Sequence, residues 1–215
     1  MNLYHPCHKI CGKLYSRIQL LKLAGVHGIH PRLHRSDRIK LSISVLDKDS
    51  EDESVVLSIS SVSIVRLQVV VYPNKKIIQN QLFVKQKQGE GSAFNWVNKQ
   101  TQFTRGYAYQ YLKCEAKRDD HYKIEINGVQ PQSCPLIGYK IWMKFGYLMT
   151  TASKLIFQQF LRENGKANTL TIFDLIKTDE KLWDIKGDTW YGEFNLAEGS
   201  DSERILREYR PAVRN

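Results

Sequence analysis

From Ile39 onward, hydrophobic and polar residues alternate along the chain. Ile39, Leu41, Ile43 and Val45 occupy every second position, the period of a half-buried strand. The acidic run Asp47 to Glu53 reads as a loop, and Val55, Leu57 and Ile59 resume the alternation. Leu67, Val69 and Val71 make a further strand. Pro73-Asn74-Lys75 is a turn signal, and Ile77 to Val84 returns, so an antiparallel meander is expected. After the loop Gln88-Gly89-Glu90-Gly91 the period lengthens. Ala93, Trp96, Val97, Gln100 and Phe103 stand at helical spacing, and Arg105-Gly106 ends the run. Tyr107 to Ala116 alternates again as a strand, and Lys117 to Pro135 is a polar segment, long for a loop. Gly138 to Phe145 reads as a helix leading into Gly146-Tyr147. Further helices are expected from Ser153 to Glu163 and from Ile172 to Ile185. The last opens on Ser200-Asp201-Ser202-Glu203, where Ser200 caps and Glu203 reaches back.

Before Ile39 the pattern is different. Tyr15 to Ala24 predicts one short helix, with Ile18 and Leu21 on a face, broken by Gly25, Gly28 and Pro31. The expected organisation is therefore a basic N-terminal extension over residues 1–38, a core over 39–150, and a mainly helical C-terminal part of the same domain over 151–215. A length of 215 residues suits one domain with an appendage. Apolar content of 42% with 25% charge excludes disorder or a collagen-like fibre. No stretch approaches the roughly 20 apolar residues of a membrane helix.

The formal charge of +10 is unevenly placed. Residues 1–40 hold eight Lys or Arg against the single acid Asp37, so most of the excess sits there and the body is close to ordinary. This weakens a nucleic-acid reading and leaves the leader as either a docking arm or a solvated tail. Four cysteines are few, and the start lacks an apolar stretch with a cleavage site, so the expected setting is reducing and cytoplasmic.

The order strand, glycine loop, helix, strand carries the chemistry. Small residues at a helix N-terminus offer free backbone N–H groups to a phosphate, aided by the helix dipole. Two frames fit: Gln86-x-x-Gly89-x-Gly91 and Gln88-x-x-Gly91-x-Ala93. No Gly-Lys-Ser/Thr follows and the dinucleotide spacing is missing, so neither a P-loop nor a dinucleotide site is expected. Taken alone, such a loop is more often a plain strand-to-helix turn.

The stretch from Gln81-Leu82-Phe83-Val84 through this loop resembles motif A of the Gcn5-related N-acetyltransferase (GNAT) family, most closely in the second frame. Gly138-Tyr139-Lys140-Ile141-Trp142-Met143-Lys144-Phe145-Gly146-Tyr147 is similar to a bacterial subset carrying Gly-Tyr-x-x-Trp-x-x-x-Gly-Tyr there. The likeness covers residues 39–147, extends loosely over 148–215, and leaves out 1–38. It implies a GNAT-like α+β fold: a mixed, mainly antiparallel twisted sheet, splayed between its fourth and fifth strands and flanked by helices. It further implies acetyl-CoA or a longer acyl-CoA as co-substrate. The pantetheine would pair with Leu82, Phe83 and Val84, and the pyrophosphate would rest on Gln88, Gly89, Glu90, Gly91, Ser92 and Ala93. An amine of a small molecule or of a peptide or protein side chain would attack the thioester. Where many relatives place an acidic tyrosine this chain has Trp142, which leaves Tyr139, one helical turn earlier, as the candidate catalytic acid.

Other residues weigh less. His5, Cys7, His8 and Cys11 have irregular spacing, and no metal is expected. Cys114 reads as a small buried residue, His121 as a solvated loop histidine, and the tryptophans as core. The expected function is an acyl-CoA-dependent N-acyltransferase. Its rivals are a catalytically degenerate GNAT-like module that binds CoA or a partner, and an RNA-directed acetyltransferase of toxin type. A homodimer stands as an open partner reading.

Overall fold

A computed structural model describes residues 7–10, 12–26, 39–48, 50–61, 64–85, 90–124, 132–133, 135–169 and 171–209. The architecture is α+β, with a seven-stranded, mixed and mostly antiparallel sheet. The chain divides into two compact units at Leu112/Lys113, the first also taking in Leu196–Glu198.

In the first unit a hairpin comes first, β1 (Cys7–Ile10) against β2 (Lys13–Ser16), pairing Cys7 with Ser16 and Ile10 with Lys13. Helix α1 (Arg17–Leu23) follows at once. Ser16 caps it: its hydroxyl accepts from Gln19 N, and the Gln19 side chain accepts from Ser16 N at 2.7 Å. The meander then runs β3 (Lys40–Leu46), β4 (Ser54–Ser60), β5 (Ile64–Tyr72) and β6 (Ile77–Lys85), each antiparallel to the next. Alternation places Val55, Leu57, Ile59, Leu67, Val69 and Ile78 in the core, as the pattern predicts. Helix α2 (Glu90–Gly106) buries Trp96, Val97, Gln100 and Thr104 on one stripe.

Residues 7–10 and 12–26 do not stand apart as an extension. Ile10, Tyr15, Leu20, Leu23, Ala24 and Val26 are buried, and α1 packs on α2. The last carbonyls of a helix have no intrahelical partner. Here the indole of Trp96 donates to Ala24 O at 2.7 Å, and the Gln100 amide donates to Leu23 O at 3.1 Å. Gln100 and Asn80 also exchange two amide hydrogen bonds, each of 2.9 Å, in a fully buried pair. Gly25 has φ +73°, and a Cβ there would collide with the Trp96 ring, so the chain leaves α1 at a position only glycine fills well. The expected helix from Tyr15 is thus shorter, because Lys13–Ser16 pair as a strand first.

The second unit begins with most of β7 (Tyr111–Ala116) and the two-residue strands β8 (Arg118–Asp119), β9 (Lys123–Ile124), β10 (Gln132–Ser133) and β11 (Leu136–Ile137). The long polar segment is therefore folded back on itself, β8 pairing with β11 and β9 with β10. Next come α3 (Gly138–Ile141), a 3₁₀ turn over Trp142–Phe145, β12 (Leu148–Met149) and α4 (Thr151–Glu163). Helix α5 (Ile172–Lys186) is kinked at Asp179, and β13 (Trp190–Asn195) and α6 (Asp201–Glu208) complete the unit.

One expectation is corrected here. The helix expected from Gly138 to Phe145 is one α-turn followed by a 3₁₀ turn ending at Gly146, φ +86°, where a Cβ would run into the Ser202 carbonyl. The C-terminal part is mainly helical, and it adds one strand that the pattern did not announce. Trp190, Gly192 and Phe194 alternate inward on β13, which pairs Gly192 with Met149. At α6, Ser200 caps as expected, but the Glu203 carboxylate accepts from Gly199 N at 2.7 Å, one residue before the cap.

Gln100→Ala removes two buried hydrogen bonds to Asn80 and one to the Leu23 carbonyl. It is expected to lower the unfolding free energy by about 2–5 kcal/mol, measured by urea denaturation. Lys99→Ala, on the exposed face of the same helix, should change it by less than about 0.5 kcal/mol.

Candidate functional site

The segment that combines a strand end, a loop and a helix start lies entirely in the first unit. On β6 the partners of Gln68 and Val69 are Leu82 and Asn80, so Gln81 is an extra residue, a bulge that bends the strand before Leu82. Beyond it Leu82, Phe83 and Val84 pair with Gln68, Leu67 and Arg66 of β5. Leu82 and Phe83 are half-buried and Val84 is buried. At the opposite end of β6, Lys76 O accepts from Gln110 N at 2.8 Å and from Tyr111 N at 3.4 Å.

The Phe83 ring stacks on Trp96 with centroids 4.5 Å apart and planes at 21°. Trp96 itself is fully buried and bonded to Ala24 O. This stack fixes the first turns of α2 against the end of β6. Helix α2 opens at Glu90, three residues before the expected start, and runs for 17 residues. The backbones of Glu90, Gly91, Ser92 and Ala93 thus form its first turn, whose N–H groups have no intrahelical acceptor. An aligned helix of this length presents a partial positive charge there. Gln88 and Gly89 lie outside the described residues. Chemically, the segment can offer amide donors to an anion beside a strand bent at a bulge.

Tyr139 belongs to the second unit and is part of its core. It is 2% exposed. Its hydroxyl donates to Asp184 O at 3.4 Å, and its carbonyl accepts from the indoles of Trp183 at 3.3 Å and Trp190 at 2.9 Å. The Arg118 guanidinium lies 5.1 Å from the centroid of its ring. Tyr139 therefore stands as a packing residue, tied to α5 and β13 by its own backbone and hydroxyl. Trp142 meets Phe145 and Tyr147 edge-on, the beginning of an aromatic run that continues to Phe194 and Tyr209.

Cys114 is buried, and burial pushes its thiol well above the ordinary range, which makes it a poor nucleophile. His121 is exposed, its N–H donating to Asp119 at 3.0 Å. His8 lies on the β1 hairpin, half-buried, while His5 and Cys11 lie outside the described residues. Among the described residues no three or more His, Cys, Asp or Glu gather as metal ligands. Also among them, no helix is long and apolar enough to cross a membrane.

Sequence reasoning missed the supports of this segment. Asn80 is a polar residue at an inward strand position, and Gln100 lies on the apolar stripe of α2. Those two anomalies were the available signal. No protein-family model matches the chain, and no curated protein matches it.

Tyr139→Phe should cost about 1 kcal/mol or less, since it removes one long hydrogen bond and keeps the ring. Tyr139→Ala should cost about 3–5 kcal/mol through the cavity it leaves. Chemical denaturation of both variants checks the assignment as a packing residue.

Proposed function

We propose that the protein is an N-acyltransferase of GNAT-like fold, which moves an acetyl or longer acyl group from acyl-CoA to an amine. One observation carries this reading. In chain order β6 and β7 are the fourth and fifth strands of the seven-stranded sheet, and a glycine-bearing loop and α2 connect them. With α2 opening at Glu90, Gly91 and Ala93 of the second loop frame fall in its first turn. That supports seating the pyrophosphate on the amides from Gly89 to Ala93, with the pantetheine along Leu82 to Val84, where β6 bends away from a regular ladder.

In the proposed reaction an amine nitrogen forms a bond to the thioester carbon and the carbon–sulfur bond breaks. A strand amide polarises the carbonyl, and a base or water chain takes the amine proton. The sulfur leaves as a thiolate, at modest cost because an ordinary thiol has a pKa of roughly 8.5. Tyr139 is not assigned to that step. The acceptor is an amine of a small molecule or of a peptide or protein side chain, and the cytoplasmic setting expected from the sparse cysteines belongs to the same reading. A second reading, a module that binds acyl-CoA or a partner without turnover, is favoured by Trp142 standing where the resemblance calls for a tyrosine.

Protection from thermal unfolding by a panel of acyl-CoAs tests the proposal. At a hundred times the dissociation constant, a bound ester should add about 2.7 kcal/mol. Gly91→Glu should abolish the protection by placing a carboxylate at the phosphate seat, with a much smaller loss of intrinsic stability. No protection by any CoA ester would sink both readings. Protection without thiol release, on addition of amine acceptors, would leave the binding module.

A further inference from the structure

The sheet ends on β3, and among the described residues β3 pairs only with β4. Edge strands of soluble proteins are normally blunted by proline, a bulge, an inward charge or shortness. This one has none of these. It runs seven residues, keeps continuous register with β4 from Lys40↔Ser60 to Leu46↔Ser54, and carries its single charge, Lys40, at its first position. Val45 and Leu46 are 41% and 47% exposed, Leu41 and Ile43 only half-buried. A recess of about 500 Å³ lies between the apolar face of β3 and the hairpin, lined by His8, Lys9, Ile10, Arg17, Leu41, Ile43 and Val45. The hairpin therefore does not fill the space over that face.

The sequence of the edge is close to a palindrome. Read about Ile43, the run Leu41-Ser42-Ile43-Ser44-Val45 is apolar, Ser, Ile, Ser, apolar in both directions. A strand with that property is complementary to an antiparallel copy of itself, which is what a twofold interface requires. We propose that β3 is the interface of a homodimer, pairing antiparallel with β3 of a second copy about Ile43. Ile43 then faces Ile43, Leu41 faces Val45, and Ser42 faces Ser44.

Charge supports a second copy in this register. Asp47, directly after β3, comes opposite Ile39 of the other chain. The Ile39 carbonyl accepts from the Arg17 guanidinium at 2.7 Å, and Lys40 is adjacent. The turn from Asp47 to Glu53 is acidic on balance, holding Lys48 among five acidic residues. Antiparallel pairing lays this acidic turn beside the basic entry of the partner at both ends of the interface, offsetting the repulsion between two chains of formal charge +10. Pairing along one short strand lies at the low end of interface sizes, under about 1,200 Å², so the dimer is expected to be concentration-dependent.

The test uses two double variants of the full chain at exposed serines, which leave the core untouched. In Ser42→Lys/Ser44→Lys, lysines face lysines twice across the axis. In Ser42→Lys/Ser44→Glu, each lysine faces a glutamate. Sedimentation velocity from low micromolar to several hundred micromolar should show dimerisation of the wild-type chain. The Lys/Lys chain should dissociate at least about tenfold more readily than the Lys/Glu chain. Far-UV circular dichroism and thermal midpoints should match among the three proteins. A wild-type chain that stays monomeric throughout, or double variants that dissociate equally, would overturn the proposal.

Discussion

Two buried amides hold the first unit together. Asn80 on β6 and Gln100 on α2 exchange two hydrogen bonds, and a further Gln100 donor goes to the end of α1. Buried amides are costly unless fully paired, and each member here is placed by a different element. The arrangement is therefore all or nothing. If β6, α2 or α1 shifts by an ångström, several polar groups lose partners in a place water does not reach. An apolar pair of similar volume would pack as well but would not fix which carbonyl of α1 meets which residue of α2.

That constraint reaches the candidate site through Trp96, one helical turn before Gln100. Its indole is anchored to Ala24 O on one side and its face stacks on Phe83 on the other. Phe83 belongs to the strand segment after the bulge at Gln81. The direction in which α2 starts, and hence where the N–H groups of its first turn point, is set by residues that are themselves buried and hydrogen-bonded. The N-terminal residues Cys7 to Val26 belong to this support, despite the separate composition of the leader.

Strands β4 to β6 and helix α2 were legible because their apolar residues repeat at one period over a whole element. The hairpin Cys7–Ser16 was not. Its strands are four residues each, too short for alternation to be distinguished, and the helical run beginning at Arg17 overlaps them in pattern. β13 was missed for another reason. Its inward positions are Trp190, Gly192 and Phe194, and the glycine at the centre hides the period. A Cβ on Gly192 would press on the Trp190 ring and the Cys114 sulfur, so the residue that obscures the signal is required by the packing. Of the candidate site, the loop and its glycines were readable. The start of α2 at Glu90 was not, because Gly91 and Ser92 have low helix propensity and tertiary anchoring by Trp96 overrides it.

Tyr139 shows where spacing arguments end. A helix of two turns from Gly138 would carry its hydroxyl along a surface, but the chain makes one α-turn and then a 3₁₀ turn, and the aromatic ring goes inward. Its backbone carbonyl then becomes the acceptor for two indoles, from Trp183 and Trp190, which a solvent-facing residue could not supply without exposing both rings. Two buried tryptophans thus find their acceptor in the Tyr139 carbonyl. This bears on the proposed reaction less than it first suggests. A departing thiolate is stable enough near neutral pH that a protein acid contributes about a factor of 10²–10³ and water can serve in its place. Positioning of the phosphates and the thioester is the part that solvent cannot replace, and it rests on the elements that Asn80, Gln100 and Trp96 hold in register.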